Sequence, residues 1–161
     1  MSTQTSQLQT RIANESDAEG LATLINLAFR GAENFFVDAD RVDLEAVLGL
    51  LETGEFLLVE TAGALAGCVY LEPRGDRTYL GLLSVDPSLQ QAGIGSQLMS
   101  AAEDHCRARQ SRFIDILIVN LREELPAFYG KRGYVETGTS PFPSDVTTKL
   151  PCHFINMSKA L

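Results

Sequence analysis

The stretch from Ser84 to Met99, S-V-D-P-S-L-Q-Q-A-G-I-G-S-Q-L-M, decides how the rest of the chain is organised. An apolar strand stops at Asp86-Pro87, a helix begins near Gly95, and a short polar loop that contains Gly93 and Gly95 joins them. Such a loop directs several unpaired backbone N–H groups toward one point, where the helix dipole adds partial positive charge. The stretch therefore predicts a phosphate-binding site.

Length and composition indicate a single globular domain. The chain has 161 residues, of which 45% are hydrophobic and 21% charged, and this size buries a sizeable core without disulfide or metal staples. Residues 1–10 are polar and are predicted to be a disordered tail, so that residues 11–161 form one domain. These first residues lack the features of a secretory signal, and no apolar run approaches the roughly 18 residues of a membrane span. We expect a cytoplasmic protein with no membrane partner.

Charge is distributed unevenly along the chain. Residues 1–80 hold 13 acidic and 5 basic side chains, whereas residues 81–161 hold 8 of each, and the net charge is −8. No basic stripe is present that could follow a nucleic-acid backbone, so nucleic acid is not expected as a partner. The acidic first half can attract a cation such as a protonated amine, although acidic surfaces are often simply solvated.

Cysteine and histidine usage argues against a metal site. The three cysteines are widely spaced and set among apolar residues, which predicts buried, reduced thiols. Only two histidines are present, and no cysteine pair has the spacing of a zinc site.

Hydrophobic periodicity predicts alternating blocks of strand and helix. Gly31 is expected to end the first helix. The second helix is expected to direct an apolar face toward the core, formed by Leu44, Val47, Leu48 and Leu51. Helices are predicted at about 17–29, 40–51, 95–110 and 123–131, and strands at 11–13, 56–60, 66–72, 78–85, 113–119, 134–137 and 153–159.

The order of these elements predicts a mixed α/β sheet. The three strands between 56 and 85 are separated by short turns, including Thr61-Ala62-Gly63-Ala64, and so are expected to be antiparallel. Strand 78–85, the following helix and strand 113–119 form a crossover that makes the next pairing parallel. The almost continuous apolar run of 113–119 predicts a strand buried on both faces.

Two common phosphate-binding motifs do not fit the glycine loop. The Walker-type loop needs a lysine after its glycines, but Gly95 is followed by Ser96-Gln97. The dinucleotide fingerprint needs a third glycine where this chain has Leu98, and an acidic residue about twenty positions later. An ordinary capping box between Ser88 and Gln91 is a structural alternative.

A third pattern fits, and it resembles the acyl-CoA-binding motif of the GNAT N-acetyltransferases, Arg/Gln-x-x-Gly-x-Gly/Ala. The matching residues run from Gln90 to Gly95 after Val85-Asp86-Pro87. Asn120 and the run Phe128-Tyr129-Gly130-Lys131-Arg132-Gly133-Tyr134 resemble the second motif of the family. The resemblance covers nearly the whole chain. It implies a central mixed sheet of six to seven strands, flanked by about four helices and splayed between the fourth and fifth strands.

The resemblance also implies a set of residues that bind acetyl-CoA. Backbone amides between Gln91 and Ser96 would wrap the pyrophosphate, with glycines where the backbone must approach the anion closely. Gln90 and Ala92 stand where many relatives carry arginine or lysine, so binding would depend on amides and the helix dipole. The implied cofactor-binding residues are Leu83, Val85, Gln90, Gln91, Ala92, Gly93, Ile94, Gly95, Ser96, Asn120 and Tyr129.

Two of these residues are also implied in catalysis. The backbone N–H of Leu83 would polarise the thioester carbonyl and stabilise the oxyanion that develops during acyl transfer. Tyr129 would protonate the departing thiolate, because a phenol is a reasonable acid for a thiolate. Asn120 would either bind the pantetheine arm or anchor the following loop.

The residue that deprotonates the acceptor amine is left open. Some relatives carry a glutamate on the fourth strand where this chain has Tyr79. Glu72, Asp76 and His153 are alternatives that would act through water, or the amine arrives neutral.

The resemblance predicts transfer of an acetyl group from acetyl-CoA to a primary amine, by direct attack in a ternary complex and without a metal. The alternative is a non-catalytic acyl-CoA-binding sensor or regulatory module. Phe35-Phe36 either plugs the edge of the core or lines a pocket, and with Pro141-Phe142-Pro143 it is expected to shape the acceptor site. The last strand either closes the sheet or pairs across a homodimer.

Overall fold

The computed structural model describes residues 9–161, leaving aside the side chains of Gln90 and Gln91. Over this range the chain forms a seven-stranded sheet and four α-helices. The predicted tail falls mostly on residues 1–8, outside the described residues, while Gln9 and Thr10 belong to the first strand. The strands are β1 (Gln9–Ile12), β2 (Glu55–Thr61), β3 (Ala64–Arg74), β4 (Arg77–Val85), β5 (Phe113–Val119), β6 (Val135–Pro141) and β7 (His153–Ala160). The helices are α1 (Ala18–Glu33), α2 (Leu44–Thr53), α3 (Ile94–Ala108) and α4 (Leu125–Gly130).

The sheet has the order β1-β2-β3-β4-β5-β7-β6 and is mixed, as predicted. Strands β1 to β4 pair in antiparallel fashion, and the turn between β2 and β3 places Ala62 and Gly63 at φ 50° and 78°. Two successive positive φ values are typical of a tight hairpin turn whose twist matches that of the strands. Strand β7 lies between β5 and β6 and is antiparallel to both, so the last strand closes the sheet of its own chain.

The parallel pairing of β4 with β5 is short. It joins Arg77 to Phe113, Thr78 to Ile114 and Tyr79 to Asp115, and beyond Tyr79 the two strands separate. The guanidinium of Arg77 donates to both carboxylate oxygens of Asp115 at 2.7 and 2.6 Å. This ion pair holds the two strands together at the end where they are paired. The splay predicted between the fourth and fifth strands is therefore present.

Helices cover both faces of the sheet. Along β2, Leu57 and Val59 face the side covered by α3, whereas Phe56 and Leu58 face the side covered by α1 and α2. This alternation follows from the two-residue period of a strand. Cys68 and Cys106 are buried in these layers, as predicted, and Cys152 is half-buried. Within residues 9–161, no helix is long and apolar enough to span a bilayer.

Three predictions about the helices were wrong. Helix α1 runs through Gly31 to Glu33, because an interior glycine costs a helix only about 1 kcal/mol relative to alanine. Helix α2 starts at Leu44, where the side chain of Asp43 accepts a hydrogen bond from the N–H of Ala46. Its predicted apolar face is only partly buried, because Leu44 and Leu48 are 41% and 36% exposed.

Strand β5 differs from its prediction on one face. Its alternate residues Ile114, Ile116 and Ile118 are buried in the layer that α3 covers. Leu117, on the opposite face, is 43% exposed rather than buried. The cause is the separation of β4 from β5, which leaves this face of β5 at the border of an open cleft.

A buried ion pair joins α3 to β7. The ammonium of Lys159 lies 2.8 Å from Oε1 of Glu103, whose Oε2 accepts a hydrogen bond from the hydroxyl of Tyr134 at 3.2 Å. The side chain of Glu103 is only 7% exposed. Burial, together with the charge of Glu103, raises the pKa of Tyr134 well above its usual range, so the phenol stays a donor.

Removing one member of this pair leaves the other charge buried without its partner. We expect Lys159→Met to lower the free energy of unfolding by about 3 kcal/mol, measured by urea denaturation. Asp104→Asn is the matched control, because Asp104 pairs with Arg107 on the exposed side of the same helix and is 81% exposed. That variant is expected to lose less than about 1 kcal/mol. Equal losses in the two variants would contradict this account.

Candidate active site

The separation of β4 and β5 opens a cleft of about 1140 Å³. Its walls come from the end of α1 and the segment after it, from β4 and β5, from the start of α3, from α4, and from residues 142–149. A groove of this size, placed where a sheet divides, is the usual position of a ligand site in an α/β protein.

A β-bulge shapes the wall formed by β4. Cys68 on β3 is opposite Ser84 and Tyr70 is opposite Gly81, so β4 has one residue more than β3 between these pairs. In the described register of β4, neither Leu82 nor Leu83 has a partner on β3 or β5. Leu82 adopts a φ of 54°, its carbonyl accepts from the hydroxyl of Ser84 at 2.9 Å, and Leu83 lines the cleft.

The glycine loop brings the start of α3 to the same cleft. The carboxylate of Asp86 accepts from the backbone N–H and the hydroxyl of Ser88, at 2.9 and 2.8 Å, and so caps the 3₁₀ turn Pro87–Ala92. Gly93 then reverses the chain at a φ of 76°, directly before α3. No described side chain caps α3, and the first backbone N–H groups of a helix have no partner within the helix, which suits them to bind an anion.

Some of the predicted cofactor-binding residues line the cleft, and the others are not shown to do so. The side chain of Ile94 is only 1% exposed and packs in the core. Ala92 and Asn120 are not among the described residues that border the cleft, and for Gln90 and Gln91 only the backbone is described. The residues that do line the cleft are Leu83, Val85, Gly93, Gly95, Ser96 and Tyr129.

Asn120 ties the end of β5 to the start of β7. Its side-chain oxygen accepts from the backbone N–H of His153 at 2.8 Å, and its own N–H donates to the His153 carbonyl at 2.9 Å. Both bonds join Asn120 to β7, and the anchoring of the following loop stays a prediction. A contact with pantetheine stays a prediction.

Tyr129 is packed between two aromatic rings at the cleft. Its side chain packs edge-to-face on Phe128 and Tyr134, with ring centroids 5.0 and 5.7 Å apart, and the residue is 7% exposed. Burial raises the pKa of Tyr129 to about 12, although the charge of Arg122 acts in the opposite direction. The phenol is thus protonated at neutral pH and available as a proton donor.

Three of the four side chains considered as the base are not among the described residues that line the cleft. Glu72 accepts from Arg74 at 2.7 Å and from Tyr70 at 2.9 Å, and these bonds hold its pKa below the usual range. Asp76 and His153 are likewise not among the described cleft-lining residues. Tyr79 lines the cleft, but burial raises its pKa, so its phenol is a poor base at neutral pH.

An ion pair at the cleft was missed by the sequence analysis. Arg122 donates from Nη1 to Oε2 of Glu33 at 3.0 Å and from Nε to Oε2 of Glu124 at 2.9 Å. The side chains of Glu33 and Arg122 are only 13% and 15% exposed. Burial raises the pKa of Glu33 despite the opposing charge of Arg122. Because 89 positions separate the two residues, no local pattern could indicate their meeting.

Lys149 joins the two loops at the rim of the cleft. Its backbone N–H donates to the Phe36 carbonyl at 2.8 Å, and its ammonium lies 3.2 Å from the Asn34 carbonyl and 2.9 Å from Asp38. Phe36 is fully buried and plugs the core, whereas Phe35 is 48% exposed. Phe142 and Pro143, from the predicted acceptor-shaping segment, do line the cleft.

The resemblance implies a mixed sheet that is splayed between its fourth and fifth strands, and the structure has this architecture. The sequence profile of the acetyltransferase (GNAT) domain matches residues 11–161. The chain therefore belongs to the GNAT acetyltransferase family, which makes it an acyltransferase in general terms.

Solved structures share this fold over nearly their whole length. A ribosomal-protein-alanine N-acetyltransferase from Brucella melitensis is 22% identical with a TM-score of 0.78, and the match covers 96% of this chain and 100% of that one. The PaiA N-acetyltransferase from Thermoplasma acidophilum, solved in complex with coenzyme A, is 16% identical with a TM-score of 0.76 over 96% and 100% of the two chains. A GNAT-family acetyltransferase from Staphylococcus aureus Mu50 is 23% identical with a TM-score of 0.73 over 95% and 99%.

In sequence, 53 residues are 38% identical to the uncharacterized protein YxbD of Bacillus subtilis strain 168. This match spans 33% of each protein, so the chain matches only about a third of the length of that relative.

Proposed function

We propose that this protein transfers an acetyl group from acetyl-CoA to a primary amine, by direct attack of the amine within a ternary complex. The observation that carries the proposal is the open cleft between β4 and β5. The bulged strand, the start of α3 and the buried phenol of Tyr129 all border this cleft. The crystallised PaiA relative binds coenzyme A, which supports the same donor here.

In this proposal the backbone supplies most of the donor site. The pyrophosphate is bound by the amides between Gln91 and Ser96, supported by the positive end of the α3 dipole. The pantetheine arm lies along the unpaired part of β4, where the main-chain groups of Leu83 and Val85 pair with it as another strand would. Gln90 and Ala92 supply no charge, so the affinity depends on backbone geometry.

The chemistry requires one donor for the carbonyl oxygen and one for the leaving sulfur. The N–H of Leu83, at the β-bulge, stabilises the oxyanion that forms when the amine attacks the thioester. Tyr129 protonates the thiolate as the C–S bond breaks. Burial keeps this phenol protonated, so its proton is still present when the C–S bond breaks.

Gly93 provides a direct test of the proposed pyrophosphate site. A side chain at a positive φ costs roughly 1–2 kcal/mol, so Gly93→Ala is expected to shift this turn and weaken coenzyme A binding about tenfold. Gly63→Ala is a matched control. Gly63 has a φ of 78° against 76° for Gly93, and an added Cβ meets no neighbouring atom within 4 Å at either position.

Calorimetry with coenzyme A distinguishes the two variants. We expect both to lose a similar amount of thermal stability, because the strain is the same. Only Gly93→Ala should bind coenzyme A more weakly. Equal coenzyme A affinity in the two variants would remove the glycine loop from the donor site.

Tyr129→Phe tests the proton donor. We expect kcat to fall about 100-fold while the KM for acetyl-CoA stays within about twofold of the wild type, measured by thiol release with a panel of primary amines. Tyr70→Phe is the control, because Tyr70 is also buried but donates to Leu50 and Glu72 on the opposite side of the sheet. Unchanged turnover in Tyr129→Phe would exclude the phenol from the mechanism. Coenzyme A binding by the wild type without transfer to any amine would favour the non-catalytic sensor.

A further inference from the structure

We propose that Glu33 is the residue that binds the acceptor ammonium and takes its proton, and that Arg122 positions it. The inference rests on the proposed acetyl transfer and adds a proton acceptor to it. It also states the chemical class of the acceptor, which is an aliphatic primary amine that enters the cleft as a cation.

The geometry places a partly free carboxylate inside the cleft. Glu33 lies in the last turn of α1, and its side chain is 13% exposed within the cleft lining. Oε2 accepts from Arg122 at 3.0 Å. Among the described residues, no hydrogen bond to Oε1 is formed, so this oxygen can accept a proton from a ligand.

The surroundings of Glu33 make its carboxylate a stronger base than that of an exposed glutamate. Burial raises the pKa of its carboxyl, and the negative charge of Glu124 acts in the same direction. The positive charges of Arg122 and Arg41 oppose this rise without cancelling it. Of the other charged residues that line the cleft, Arg30 pairs with Asp40 at 2.5 Å and Lys149 with Asp38 at 2.9 Å, whereas Asp145 forms no ion pair with a described residue.

Arg122 connects Glu33 to the proposed reaction centre. It bonds to the Glu33 carboxylate and is close enough to Tyr129 to lower the pKa of that phenol against the effect of burial. Tyr79 also acts on the pKa of Tyr129 and lines the same cleft. Glu33 and Tyr129 therefore line the same cleft, whereas Glu72, Asp76 and His153 are not among its described lining residues.

Glu33 and Tyr129 together account for every proton that moves during the acetyl transfer. The carboxylate of Glu33 takes one proton from the ammonium. The freed nitrogen lone pair then forms the C–N bond to the acetyl carbon, while the carbonyl π electrons move to oxygen. When the carbonyl re-forms, the C–S bond breaks, its electron pair leaves on sulfur, and Tyr129 protonates the thiolate. The surplus proton on nitrogen passes to the tyrosinate, and the proton on Glu33 leaves to solvent. An ammonium and acetyl-CoA thus give an N-acetyl amide, coenzyme A and one proton.

The test compares Glu33→Gln with Glu124→Gln in the full chain. Glutamine keeps the size of Glu33 and can still accept from Arg122, so the fold is expected to hold, which thermal unfolding checks. Glu124→Gln removes the other carboxylate on the same arginine, but that side chain is 64% exposed. We expect kcat/KM for the best primary alkylamine of the panel to fall about 100-fold in Glu33→Gln and less than about fivefold in Glu124→Gln.

A comparison of two amines that differ in basicity shows whether Glu33 removes a proton from the acceptor or has only a structural role. An analogue of the same amine that carries a trifluoromethyl group on the amine-bearing carbon is much less basic, so most of it arrives as the neutral amine. Its kcat/KM should fall less than about fivefold in Glu33→Gln, and the loss with the parent amine should shrink as the pH rises. Equal losses for the two amines at all pH values would overturn the proposal. No transfer by the wild type would instead refute the proposed function itself.

The positioning role of Arg122 is tested by the pH dependence of kcat/KM. In the wild type, kcat/KM should fall as the pH drops through the raised pKa of Glu33, because the protonated carboxyl can no longer take a proton. Loss of a positive charge beside Glu33 raises that pKa further, so the acidic limb of the profile should move to higher pH in Arg122→Gln. An unmoved limb would mean that Arg122 does not act through Glu33.

Discussion

The separation of β4 from β5 is the constraint on which the rest of the structure depends. The two strands pair over three residues, and the clamp between Arg77 and Asp115 holds them together at that end. Beyond it, the bulge at Leu82 and Leu83 puts β4 out of step with β3 and leaves main-chain groups that no neighbouring strand takes up in the described register. The unpaired N–H and C=O groups of a strand edge tend to pair with another chain unless something covers them. An extended ligand arm is the kind of partner that such an edge accepts.

The position of α3 depends on close packing as much as on its own sequence. A Cβ at Gly67 on β3 would lie 2.8 Å from Ile94 and 2.9 Å from Leu98, so glycine is what lets the first turns of α3 lie directly on the sheet. This contact fixes the N-terminus of the helix at the mouth of the cleft. The direction of its backbone N–H groups is then set by the core, and an anion there meets donors that are already in place.

The sequence predicted the parts of the molecule that local patterns determine. Period-two and helical spacing gave the sheet, its parallel step and α3, and Gly93 and Gly95 indicated the start of that helix. One error arose because a local signal was overrated: α1 passes through Gly31 because the cost of a helical glycine is small. The meeting of Glu33 with Arg122, 89 positions apart, is a property of the closed fold and has no counterpart in any short motif.

The two halves of the chain contribute differently to the cleft, and this changes how the charge of −8 should be understood. The excess of acid in the first half does not make the cleft strongly negative, because Asp38 and Asp40 are paired with Lys149 and Arg30. Glu33 differs from them in being buried and in sharing its arginine with a second carboxylate. A single desolvated carboxylate acts on a nearby cation more strongly than several screened surface charges do. Recognition of a cationic acceptor would therefore depend on one position in the cleft rather than on the net charge of the surface.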